Sequence, residues 1–203
     1  MNFEPDQIYH IYNRGNQKQT IFFSESHYIL FLKKIREQLL PYCDILAWCL
    51  MPNHFHLMIV VTQKGYAFKL SGANEVQELS YRIGIMLSSF SFIVNKDMGL
   101  TGSLFQKKTK AKHLDDVEYV IRCMHYIHQN PLIAGLTNGK LEDWKYSSFR
   151  DYSGLRNGTL CNSNKLFDLT AYDREHFLPD SYDVIDEKPV VVKTLLNTVY
   201  LGF

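Results

Sequence analysis

Two histidines and a tyrosine–asparagine pair hold the chemistry available to this sequence. His54-Phe55-His56 opens an apolar run over residues 54–61 of the kind that forms a β-strand. On a strand, residues two apart project from one face, so both imidazoles point the same way while Phe55 points into the opposite side. Such a pair is half of a cation site: imidazole suits divalent transition metals, and a site completed by oxygen ligands and phosphate accepts Mn2+ or Mg2+ as well. Alone the motif is weak, because H-x-H arises by chance and two solvated histidines are the commoner outcome.

A second segment changes the weighing. A helix is expected to open at Asp115, with Glu118 placed for a capping box. Val117, Val120, Ile121 and Met124 cluster on one side of its wheel. Tyr126 falls opposite that stripe, and Asn130, four residues on, falls beside it, with Tyr119 and Cys123 close to the same direction. A tyrosine on a helix is usually a packing residue, and an Asn before proline usually ends a helix, since the residue preceding proline is pushed out of the helical region. Neither habit explains why a phenol and an oxygen-bearing amide share one non-apolar face next to Arg122 and His128.

Phosphodiester chemistry explains the combination. A phosphodiester resists attack and must be held, charge-neutralised and met in line by an activated oxygen. Two histidines and one amide oxygen can hold a divalent cation with positions left open, which leaves Tyr126 as the nucleophile and a phosphotyrosine as the intermediate. The ester stores the bond energy, so a strand can be resealed without ATP. No acid or base stands out as proton acceptor for Tyr126.

The elements needed to position these groups are legible. Residues 7–14 predict a strand closed by the Gly15-Asn16 turn signal, and a helix follows from the N-cap candidate Ser24, with Ile29, Leu32, Ile35 and Leu39 as its inner stripe. Residues 44–50 and 54–61 predict two strands joined through Met51-Pro52-Asn53. A polar stretch over residues 62–73 leads to a longer helix carrying Val76, Leu79, Ile83, Met86, Phe90 and Ile93, capped by Asn74 or Gln77. After Gly99 to Gly102 a basic strand is expected over residues 107–114. The order βαββαβ plus one helix predicts an α+β, ferredoxin-like antiparallel sheet with helices on one face, and a catalytic helix after the last core strand. We divide the chain into a catalytic domain, residues 1–152, and a C-terminal extension, residues 153–203, acidic and then apolar, whose last short element over residues 190–200 docks on the core.

The net charge of +1 conceals an uneven distribution. Residues 168–188 hold seven acids and two bases, which leaves the rest of the chain 20 Lys and Arg against 14 Asp and Glu, a net charge of +6. Lys107, Lys108, Lys110 and Lys112 form a run without an acid, suited to phosphates and to salt-dependent binding. A lysine-rich solvated edge strand is the rival reading. Arg14 is a further phosphate candidate, with pairing to a carboxylate as its rival reading, and Arg150 is a candidate for DNA contact by stacking on unpaired bases. Trp144, Tyr146 and Phe149 are candidates for stacking on unpaired bases, although aromatics near a domain's end more often close a core. His10, His113, His125 and His128 are each candidates to approach the site, although for any one of them an ordinary hydrogen-bonded histidine is the commoner outcome. The four cysteines form no C-x-x-C pair, and the absence of a membrane-length apolar stretch or secretion signal makes the cytoplasm the expected location.

Five ordered segments carry a resemblance: Tyr9-His10-Ile11-Tyr12-Asn13-Arg14-Gly15, Cys49-Leu50-Met51-Pro52-Asn53-His54-Phe55-His56-Leu57, Gly102-Ser103-Leu104-Phe105-Gln106, Tyr126-Ile127-His128-Gln129-Asn130-Pro131 and Trp144-Lys145-Tyr146-Ser147-Ser148. Together they resemble the REP-associated tyrosine transposases, within the single-strand transposases that have a His-hydrophobic-His motif and one catalytic tyrosine. The resemblance covers residues 9–152. It implies a ferredoxin-like core, Mg2+ or Mn2+ held by His54, His56 and Asn130, and Tyr126 forming a 5′-phosphotyrosine with release of a 3′-hydroxyl. It also implies Arg14 near the cleft, a single-stranded hairpin DNA with a flanking tetranucleotide as partner, no membrane, and action as a monomer or homodimer. Two other readings share part of this evidence: a replication initiator or relaxase, disfavoured by the absence of a GxxxxGK[ST] loop, and a non-catalytic nucleic-acid-binding module, whose marker would be exposed aromatics in central strands.

Overall fold

The computed structural model describes residues 1–183. The elements run β1 (Ile8–Arg14), α1 (Glu25–Gln38), β2 (Cys43–Met51), β3 (His54–Val61), α2 (Gln63–Tyr66), β4 (Phe68–Ser71), β5 (Asn74–Gln77), α3 (Glu78–Met98), β6 (Lys110–Leu114), α4 (Val117–Ile133), α5 (Phe149–Tyr152), α6 (Ser163–Thr170) and α7 (Phe177–Asp183). Strands β2, β3, β1 and β6 pair in that order, all antiparallel, and the short β4–β5 hairpin stands apart. Counting α1 and α3 as the two crossovers, this is the expected βαββαβ sheet. The expectation for residues 190–200 lies outside the described residues.

Strand alternation gives the sheet two different faces. Ile11, Phe55, Leu57 and Ile59 project toward α1 and α3 and meet Phe31, Ile35, Ile83, Met86 and Phe90. Met58, Val60, Cys49 and Leu114 project the other way and meet Val120, Met124, Tyr126 and Ile127 of α4, with Leu166, Phe167 and Phe177 of α6 and α7 behind. A bulge between Ile45 and Ala47 resets the alternation of β2, so that Trp48 and Leu50 join the first core while Cys49 and Met51 join the second. All eight residues of β3 are buried, because helices cover both sides of it.

Local departures from expectation have local causes. The inner stripe of α1 is Tyr28, Phe31 and Ile35, and Ile29 is 57% exposed, one wheel position off the predicted line. The α3 helix begins at Glu78, because residues 68–77 form the β4–β5 hairpin around the positive-φ Gly72; the buried stripe then ends at Val94 and not Ile93. The basic strand is shorter than predicted, since β6 starts at Lys110. The N-cap of α4 is Asp116, whose side chain accepts from the Tyr119 N–H, and Pro131 lies inside the helix. Proline removes one donor from that last turn without ending it.

The ends of β1 and β3 are locked by backbone contacts that involve no regular element. The Asn53 carbonyl accepts from Gly15 N–H at 2.7 Å, and the Pro52 carbonyl accepts from Ile21 and Phe22 at 2.7 and 3.1 Å. Residues 104–106 continue the pairing beyond β6: Asn16 N–H donates to the Leu104 carbonyl and Gln106 N–H to that of Arg14, both at 2.9 Å. Gly15 sits where these meet, and a Cβ there would lie 2.0 Å from the Gln19 carbonyl oxygen. Gly15→Ala should therefore cost about 1–3 kcal/mol through backbone displacement, read as a lower urea midpoint; an unchanged midpoint would mean that this junction relaxes freely.

Candidate active site

Histidines 54 and 56 project from β3 on the face covered by α4, as two-residue spacing requires. In the β1–β3 register Arg14 lies opposite His54 and Tyr12 opposite His56, and in the β1–β6 register Lys110 lies opposite Tyr12 and Lys112 opposite His10. One face of the sheet thus carries His10, Tyr12, Arg14, His54, His56, Lys110 and Lys112 together. Tyr126 and Asn130 descend on it from α4, one helical turn apart. The Tyr126 ring stands edge-on to His56 at 5.6 Å between centroids and to His10 at 6.2 Å, and His54 and His56 are 5.1 Å apart. Asn130 interacts with the His54 ring. The four residues predicted to converge do so, and all are buried, Tyr126 being 2% exposed.

Hydrogen bonds fix which atoms face the centre. The His54 Nδ1–H donates to Asn53 Oδ1 at 2.6 Å, which leaves Nε2 as a lone pair when the ring is neutral. The Asn130 Nδ2 donates to the Tyr126 carbonyl at 2.7 Å, which turns Oδ1 toward His54. An imidazole nitrogen and a carboxamide oxygen thus lie side by side, a donor pair of the kind that suits a divalent cation. The His56 Nδ1 pairs with His10 Nε2 at 2.9 Å, and His56 Nε2, fully buried, has no hydrogen-bond partner among the described residues. A buried imidazole nitrogen in that condition costs free energy unless something binds it. Among the described residues no three His, Cys, Asp or Glu side chains come together to hold a metal, so the donor set here is two imidazoles and a carboxamide oxygen.

Burial also sets the charge state. It pushes His54 down to about 4, with Arg14 adding to the fall and Asn130 opposing it. It pushes His10 to about 3, aided by Lys112, and holds His56 well below its ordinary value, aided by the neighbouring His10 and His54. These rings are neutral at neutral pH, the form that ligates metals. His125 and His128 are likewise depressed by burial but belong elsewhere: they face away from the sheet, His125 bonding Ser181 and Tyr172, and His128 bonding Ser148.

A narrow cavity of about 20 Å³ opens beside the pair, lined by Tyr12, Arg14, His54, His56, Lys108 and Lys110 among others. Lys107, Lys108, Lys110 and Lys112 are all exposed. Arg150 lies apart from them: residues 146–148 pair along the outer edge of β2, the opposite margin of the sheet from β6, and Arg150 follows there on α5. The aromatics near it close the core, with Phe149 1% exposed, Tyr146 stacked on Tyr28 at 3.7 Å and Trp144 Nε1 donating to the Leu50 carbonyl. Of the four histidines that were candidates to approach the site, His10 does so, and Tyr12 joins it without having been singled out. Their signal was available, since both share parity with Arg14 on β1, but parity alone does not say which face α4 will cover. No helix among the described residues is long and apolar enough to cross a membrane.

Each depressed histidine takes up a proton near pH 6.5 once the chain unfolds and resists it while folded. Stability present above pH 6.5 is therefore lost as pH falls toward about 4, where His54 and His125 titrate in the folded chain. We expect the urea midpoint to drop clearly between about pH 7.5 and about pH 5; equal midpoints would mean that these rings are solvated.

No protein-family model matches the chain, and no curated protein matches it. Among solved structures, that of a REP-associated tyrosine transposase bound to a REP hairpin superposes with a TM-score of 0.56 at 16% identity, over 80% of this chain and 92% of that one. A bacterial tRNA(His) guanylyltransferase-like protein in complex with ATP follows at a TM-score of 0.40 and 9% identity, over 71% of this chain and 69% of that one, too low to carry an argument. The chain thus has the fold of the REP-associated tyrosine transposase, the fold expected from its five sequence segments.

Proposed function

We propose that this chain is a divalent-metal-dependent transposase that cleaves and rejoins single-stranded DNA through a covalent bond to Tyr126. The observation that carries the reading is the convergence of the His54 and His56 imidazoles and the Asn130 carboxamide beside the Tyr126 ring, in a buried site next to Arg14, Lys108 and Lys110 whose cavity is lined by no Asp or Glu among the described residues. The fold shared with a hairpin-bound transposase supports it. The three acceptors would hold Mg2+ or Mn2+. Such an ion would supply charge neutralisation at the non-bridging phosphate oxygens and make phosphorus easier to attack.

The chain's own groups do the rest. Arg14 and the lysines draw the phosphates to the histidine end of the sheet. The Tyr126 Oη attacks phosphorus, the bond from phosphorus to the 3′-oxygen breaks, and the proton lost by the phenol is matched by the one the 3′-oxygen gains. A 5′-phosphotyrosine and a 3′-hydroxyl result, and attack by another 3′-hydroxyl reverses the step. A cavity of about 20 Å³ holds roughly one water molecule and no phosphodiester, so strand binding must shift the wall formed by Gln106, Lys108 and Lys110. His10 is a positioning residue: accepting from His56 Nδ1–H, it would hold that ring in the tautomer whose Nε2 lone pair faces the centre.

Incubating the protein with a single-stranded hairpin oligonucleotide and Mn2+ should give a covalent adduct on a denaturing gel. Tyr126→Phe should bind the oligonucleotide and give none, and His56→Ala should lose metal-stimulated cleavage. An adduct persisting in Tyr126→Phe and vanishing in Tyr12→Phe would transfer the nucleophile to the other phenol beside His56, whose ring centroid is 5.9 Å from it.

His10→Phe should lower Mn2+ affinity by about 10- to 100-fold in calorimetry, with partial recovery in His10→Gln, which can still accept a hydrogen bond. Equal affinities in all three proteins would reduce His10 to a packing residue.

A further inference from the structure

Beyond the inner cavity lies a groove that no spacing along the chain marks. A hollow of about 700 Å³ runs between the Lys107–Lys112 segment and the outer face of α3, and a second of about 590 Å³ continues it along the same helix. The two share Gly84, Leu87, Lys107 and Thr109, and the first shares Tyr12, Lys108 and Lys110 with the cavity at the histidines. Among the described residues, no Asp or Glu lines any of the three. The α3 wall is one helical stripe, Gly84, Ser88, Ser91, Phe92 and Asn95, about 16 Å long at 1.5 Å per residue. Two of its features are unusual for a plain solvent face. Phe92 is 71% exposed, and Gly84 sits inside a 21-residue helix although a Cβ there would meet nothing within 4 Å. An exposed helix interior favours alanine over glycine by about 1 kcal/mol, so neither conformation nor packing in the free protein accounts for it.

We propose that this groove is the path of the unpaired DNA strand leading to the scissile phosphate, its backbone against Lys107, Lys108 and Lys110 and one base stacked on Phe92. The proposal rests on the function proposed above. A single strand is the occupant that fits, because a base must be unpaired to offer its face to an aromatic side chain, and stacking of this kind tolerates any base. The lysines match the phosphate charge without a competing carboxylate. Gly84 keeps the floor clear where the two hollows join.

The test is fluorescence anisotropy with a labelled oligothymidylate and a duplex of equal length, on the whole chain at fixed ionic strength. Phe92→Ala should weaken oligothymidylate binding on the order of ten-fold and leave the duplex nearly unaffected. Gly84→Leu, which fills the floor while favouring the helix, should weaken it too with no loss in urea midpoint. If both variants bind like the parent while the parent forms the Tyr126 adduct, the groove assignment falls and the catalytic reading stands. If the parent forms no adduct with any hairpin and binds no single strand, the catalytic reading falls first. Concentration-dependent self-association that Phe92→Ala abolishes, with strand binding intact, would overturn the groove in favour of a second copy of this chain.

Discussion

Everything in this molecule depends on α4 lying across the face of the sheet that β3 would otherwise leave polar. A strand with two histidines on one side and Phe55, Leu57, Ile59 and Val61 on the other has one face that packs readily and one that does not. Covering the second face strips water from both imidazoles and holds them neutral. The same contact brings a phenol and a carboxamide to within reach of them. Burial that would only cost stability in an ordinary core here gathers two neutral imidazoles and a carboxamide beside one phenol.

The support for α4 comes from its other side. Phe149, Phe167 and Phe177 pack behind it, and His125, His128 and Gln129 find partners in Ser181, Tyr172 and Ser148. A helix whose second half is buried cannot rely on a single apolar stripe, and His125, His128 and Gln129 each make at least one hydrogen bond on the far side. The β2–β3 turn has a comparable role on the sheet: Pro52 and Asn53 accept backbone bonds from residues 15, 21 and 22, so the ring that Asn53 orients is anchored to the rest of the fold.

The recurrent sequence segments turn out to be joints as much as chemical groups. Leu104 and Phe105 are buried and extend the pairing of β1, which sets Gln106 and Lys107 beside Arg14. Trp144, Tyr146 and Ser148 close the opposite edge through bonds to Leu50 and Trp48. A motif reading assigns such residues to binding because they accompany catalytic ones; their burial shows how far backbone geometry explains their presence.

The chain alone determined what depends on spacing. Period-two alternation put His54 and His56 on one side of β3, helical spacing put Tyr126 and Asn130 on one side of α4, and the alternation of predicted elements gave the βαββαβ order. On α1 it placed Ile35 and Leu39 correctly in the core but assigned Ile29 to the stripe where Tyr28 and Phe31 are buried, and it passed over the β4–β5 hairpin, whose four-residue strands carry little pattern. Tertiary structure decided which face of the sheet α4 would cover, and with it that His10 and Tyr12 join the site while His125, His128 and Arg150 do not. Those outcomes turn on contacts between distant residues, 46 positions apart for His10 and His56 and 56 for His125 and Ser181, and periodicity along a chain fixes a side chain's direction on its own element but not what another element will set against it.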